Sequence, residues 1–202
     1  MRIKFFSAIL ILILCSGICF SQTYADQITE YRNEYKQDFL KDANSPLKKK
    51  DLKYLDFFEP DSGYVVTSNF KRTEDALPFE MPTSSGKMKE YIKYGEATFI
   101  LHDTTFTISV YQSTQLREFE QYKNYLFIPF NDATNSVTTY GGGRYMDLEI
   151  DKIINDTLII DFNKAYNPYC VYSDGYSCPV PPRENYLDIQ IRAGEKNYLK
   201  KH

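Results

Sequence analysis

Tryptophan is absent from the 202 residues, and histidine occurs only twice. A Ser-His or Cys-His nucleophile needs a positioned imidazole. His202 is the last residue, which leaves His102 alone to supply it. Gly-x-Ser-x-Gly does not occur, and neither does the Gly-x4-Gly-Lys-Ser/Thr of a P-loop. Basic charge is not in excess either: 24 Lys and Arg stand against 27 Asp and Glu, a formal net charge of −3. Lys48, Lys49, Lys50 and Lys53 form the only basic run, and Asp51 interrupts it. A nucleic-acid partner would want a basic patch, so none is expected. The one apolar run, Phe5 to Leu14, is too short for a bilayer span of about 20 residues.

What is present begins with that run. Arg2 and Lys4 precede it, and small and polar residues follow from Cys15 to Gln22. This is the layout of a secretory signal peptide. Cleavage after Ser21 is expected, with export to the periplasm or the medium and no transmembrane span in the mature chain. Lipidation at Cys15 or Cys19 is the alternative, disfavoured because Leu14 and Ile18 precede them where a small residue is wanted. Cys170 and Cys178 remain after processing. A close even pair in an exported chain reads as a disulfide. Structural zinc wants four Cys or His ligands, so no metal is expected, and no cofactor.

There are 18 Tyr and 14 Phe, and such aromatic richness suits strands. Ala25 to Asp42 predicts a helix, with Ile28, Tyr31, Tyr35 and Phe39 at spacings of three and four. Beyond it the pattern turns to period two. Strands are expected at Tyr64–Phe70, Lys89–Leu101, Thr104–Tyr111, Tyr125–Phe130, Arg144–Ile150, Thr157–Asn163 and Leu187–Arg192, with turns at His102-Asp103 and Asn155-Asp156. Pro78 to Gly86 reads as a loop. With no repeat and no break in composition, residues 22–202 are expected as one β-rich globular domain. The expected fold is an antiparallel sandwich or partly open barrel behind an amphipathic helix.

Several strings share one order: Ile128-Pro129-Phe130-Asn131-Asp132-Ala133-Thr134; Thr139-Tyr140-Gly141-Gly142-Gly143-Arg144-Tyr145; Asp161-Phe162-Asn163-Lys164-Ala165-Tyr166-Asn167-Pro168; Cys178-Pro179 with Pro181-Pro182 and Glu184-Asn185; and Ala193-Gly194-Glu195-Lys196. Together they resemble a bacterial family known only as domain of unknown function 1684. The resemblance covers most of the mature chain and is densest from Tyr125 to Lys196. It implies membership but no activity, and it carries no catalytic residues across.

Arg144 is the most unusual position. On a regular strand it shares a face with Met146, Leu148 and Ile150, which should be the core face. A buried guanidinium without a partner costs several kcal/mol. The partner could be Asp132, Asp161 or a bound anion approached by Gly141, Gly142 and Gly143, whose backbone N–H groups can converge on negative charge. Asp161, Asn163, Tyr166 and Asn167 either cap a strand end or line a pocket with Arg144. Three functions stay open. The first is a binding or structural envelope protein with a small anionic ligand near Arg144. The second is a carboxylate-based hydrolase of an envelope or glycan substrate, served by Asp132, Asp147 or Asp161. The third is a structural domain in which Arg144 is paired internally.

Overall fold

The computed structural model describes residues 23–200. The leader expected over 1–21, Cys15, Cys19 and His202 lie outside the described residues. The chain starts with helix α1 (Tyr24–Lys41). A capping box fixes its first turn: Thr23 accepts from the Asp26 N–H, and Asp26 accepts from the Thr23 N–H. Asp26 in the first turn and Lys41 in the last oppose the helix dipole. Ile28 and Phe39 are buried, with Tyr31 and Tyr35 half-buried on the same stripe.

Eight strands follow: β1 (Val65–Arg72), β2 (Phe79–Pro82), β3 (Met88–Leu101), β4 (Thr104–Ser113), β5 (Tyr125–Asp132), β6 (Arg144–Glu149), β7 (Thr157–Asp161) and β8 (Tyr186–Leu187). The sheet runs β6-β5-β4-β3-β1-β7 and is antiparallel along this path. It curls into a half-barrel, and its concave face supplies the main core. Val66 and Phe70 of β1, Phe99 of β3, Val110 of β4, Ile128 of β5, Met146 of β6 and Ile160 of β7 all join one buried cluster. The β3–β4 hairpin turns at His102-Asp103 with φ of 48° and 61°, as the sequence indicates.

Two elements differ from expectation. The segment read as a loop at Pro78–Gly86 contains β2, which adds to β3 outside the main path. Pro82 ends β2, the kind of place where a ladder tolerates a residue without an N–H. The expected last strand shrinks to the two residues of β8, parallel to β5. The chain after it, still carrying buried Ile191 and Ala193, crosses the end of the core as an extended segment. Its Ile191, Ala193 and Glu195 carbonyls are taken by a side chain, that of Arg144.

The turn at Asn155-Asp156 also forms, with φ of 50° and 56°. It closes a single bridge, Ile154 to Thr157, before the chain diverges. A tight 3-10 turn at Ile150–Lys152 leads β6 away. The two strands that flank this turn in sequence therefore stand at opposite edges of the sheet. The curl brings those edges back toward each other without pairing them, and a seam is left between β6 and β7.

Candidate functional site

Arg144 opens β6 and points into the core, as the period-two reading requires. It is fully buried, and so is Asp132 at the end of β5. Nη2 donates to Asp132 Oδ1 at 3.2 Å and to the Ile191 carbonyl at 2.9 Å. Nη1 donates to the carbonyls of Ala193 and Glu195. The guanidinium lies over the Phe130 ring, 5.2 Å from its centroid. Asp132 is saturated in turn by the Ile191 N–H at 2.7 Å and by Thr134. Burial lowers the Arg144 pKa, and Asp132 opposes that shift. The charge thus serves as a clamp between β5, β6 and the crossing C-terminal segment, with no edge of it open to solvent.

Of the three glycines before it, Gly143 has a backbone reason. Its φ is +92°, and a Cβ there would sit 2.7 Å from the Phe130 carbonyl and 2.6 Å from Pro181. Gly141 instead lines an open depression beside Asn131, Asp132, Asn135 and Arg183. The hydrogen-bond partners of the Arg144 guanidinium are Asp132, Ile191, Ala193 and Glu195, with none from the glycine loop or the Asp161–Asn167 segment. Asp161 Oδ1 accepts from Tyr24 of α1 at 2.9 Å and from the Asn163 N–H at 3.0 Å. Asn163 is buried and bonded to the backbone of Asp61.

Asn167 and Tyr166 belong to two further polar groups. The buried Glu195 carboxylate accepts from the Asn167 N–H at 2.9 Å, from Tyr172 at 2.7 Å and from Tyr35 of α1 at 3.1 Å. Burial pushes its carboxyl up to about 7 against those hydrogen bonds. Tyr172 lies inside the loop closed by the Cys170–Cys178 disulfide, so Glu195 ties helix, loop and C-terminal segment together. The disulfide is the pairing that the sequence indicates.

Tyr166 reaches the seam. It exchanges two backbone hydrogen bonds with Tyr145, at 2.9 and 3.0 Å, which close the upper end of the β6 edge. Strand alternation then points the N–H and C=O of Asp147 and Glu149 to the same side, where among the described residues no strand faces them. A groove of about 730 Å³ opens there. Val65, Met146, Leu148, Ile154 and Ile159 give it apolar walls, and Tyr31 of α1, Tyr125, Lys152, Lys164 and Asp161 stand around it. Asp147 is its central polar group. Oδ1 accepts from Tyr166 at 2.6 Å and from Tyr125 at 2.7 Å. Oδ2 carries no hydrogen bond, and no cation pairs with the carboxylate among the described residues. The side chain is open to solvent along the groove yet has protein on its other sides. That burial raises its pKa, and the two phenols pull it back. Tyr125 and Tyr166 are held well above the usual tyrosine range by burial and by Asp147.

Sequence reasoning missed this groove. Asp147 reads, with Asp161, as a candidate carboxylate of a hydrolase, and nothing in the period-two register of Asp147 with Tyr145 and Glu149 places the two beside one groove. The one available signal was the 3-10 turn and paired αL turn between β6 and β7, which splay strands that a simple hairpin would zip together.

A family model described as protein of unknown function (DUF1684) matches residues 50–196. The solution NMR structure of an uncharacterised protein of Haloarcula marismortui is similar, with 30% identity and a TM-score of 0.67, covering 87% of this chain and 95% of that one. No curated protein matches.

Proposed function

Since this chain belongs to DUF1684, a family of unknown function, we propose from its own residues that it is an exported binding protein whose ligand site is the seam between β6 and β7. One observation carries the reading. Asp147 sits in an apolar-walled groove with one oxygen fixed by two phenols and the other left open. A concave, mostly apolar site with a few oriented polar groups is the usual form of a small-molecule pocket. The pairing of both Arg144 Nη atoms with Asp132 and three backbone carbonyls supports its reading as an internal clamp, and we place the ligand at the seam instead of the glycine loop. Export is supported by the leader pattern of residues 1–21, and the Cys170–Cys178 disulfide is compatible with an oxidising compartment.

Two measurements test this. Intact mass of the protein recovered from its native cells should correspond to a chain beginning at Gln22 with both cysteines oxidised; an unprocessed chain would sink the export reading. Thermal unfolding against a panel of small metabolites should find at least one class that raises the melting temperature of wild type but not of Ile159→Arg. Ile159 is 60% exposed on the groove wall, so arginine fills the groove without entering the core. If every stabilising ligand acts equally on both proteins, the seam is not the site.

A second reading, a carboxylate hydrolase of a glycan or envelope substrate, is favoured by Asp147 and Asp161 lining the same groove. It predicts turnover of a glycan panel that either Asp147→Asn or Asp161→Asn abolishes.

A further inference from the structure

We propose that the ligand of the seam is an aliphatic amine, bound through its ammonium group to Asp147. The inference rests on the seam being the ligand site. Its first support is the unfinished coordination of Asp147. Both phenols donate to Oδ1, so an incoming group must satisfy Oδ2 and must do so as a donor. A carboxylate is stabilised in its charged form by a nearby cation more than by a neutral hydroxyl. No lysine or arginine among the described residues supplies that cation. Lys152 turns to Glu149 and Asp151, at 3.9 and 3.6 Å.

The second support is the sign of the surroundings. Asp161 and Glu149 line the same groove as Asp147. An anionic ligand would meet three carboxylates, and the two lysines of the groove are already engaged, Lys152 by its acidic neighbours and Lys164 by an aromatic ring. That second lysine gives the third support. Its Nζ lies over the Tyr31 ring, 5.2 Å from the centroid, so the aromatic wall of the groove already holds a cation by its face. The last support is shape. Val65, Met146, Leu148, Ile154 and Ile159 are aliphatic or thioether walls suited to methylene groups. One end of the ligand should therefore be charged and the rest hydrocarbon.

Three probes with the same six-carbon chain separate the alternatives: hexylamine, hexanoate and hexanol, each titrated by calorimetry at neutral pH into the processed chain. Wild type, Asp147→Asn and Ile159→Arg are compared, each checked for native near-UV dichroism. The Asp147→Asn change keeps an oxygen for the two phenols while removing the charge, so folding should survive. The expected result is binding of hexylamine alone, weakened about tenfold or more by Asp147→Asn, as loss of a charge-assisted hydrogen bond predicts, and lost in Ile159→Arg. If hexanoate or hexanol binds as well as hexylamine and Ile159→Arg abolishes it, the groove stands and the amine proposal falls. Hexylamine binding that neither variant weakens would overturn the groove itself. Absence of binding by all three would overturn the amine proposal, leaving the groove to the metabolite panel.

Discussion

Arg144 and Asp147 lie three residues apart on β6 and carry opposite charges, yet they have opposite fates. Arg144 faces the concave core and finds a carboxylate and three backbone carbonyls waiting. Asp147 faces the unpaired edge and finds hydroxyl partners on only one oxygen. An odd offset on a strand sends two side chains to opposite faces. The pair shows that an unusual charge in a sequence is a weak guide to function. The internally paired charge holds the fold; the one with an open oxygen is where another molecule can add something.

The largest effect should come from breaking the satisfied side. Arg144→Ala leaves Asp132 buried without its cation and should lower unfolding free energy by about 3–5 kcal/mol, measured by urea denaturation. Replacing both residues with apolar ones of similar volume should cost much less. If the single variant is nearly neutral, Arg144 is not a clamp.

Glu195 extends the same framework and should show it as a pH dependence. Its folded pKa of about 7 lies above its ordinary value of 4.5, so the folded state binds the proton more tightly. The contribution is fully present below pH 4.5 and is lost as pH rises through 7, by roughly 3 kcal/mol. Glu195→Gln should flatten that slope whatever it does to absolute stability. An unchanged slope would remove Glu195 from the account.

Reduction of Cys170–Cys178 should cost roughly 2–3 kcal/mol, the model value for a short loop. The smallest effect is expected at the groove. Asp147→Asn should change stability by less than about 1 kcal/mol, because both phenols keep an acceptor. A large loss there would make Asp147 a structural residue like Arg144 and erase the contrast.

Much of this was legible in the chain. The period-two pattern of Thr104–Tyr111 marked a strand, and the parity of Arg144 with Met146 and Leu148 put the guanidinium inside. The identity of its partner was open, since Asp132 and Asp161 are equally plausible until β5 is known to lie beside β6. Leu187–Arg192 read as a final strand. The Ile191 carbonyl went instead to Arg144, a competition that no periodicity records. The groove was hidden for a topological reason. Consecutive strands usually neighbour each other, and β6 and β7 do not. A site made from the absence of a pairing leaves no periodicity to find, only the turns between β6 and β7.

The seam has one more consequence, for how copies of the protein meet. Two bare strand edges are templates on which a second chain could add its own strand. Here the exposed run is brief: Tyr166 caps its upper end, the turn at Ile150–Lys152 cuts its lower end, and Asp147, Glu149 and Lys152 put charge along what remains. The same charges that mark the groove guard against sticking, so neutralising Glu149 and Lys152 together should make concentrated protein self-associate while leaving the isolated fold intact.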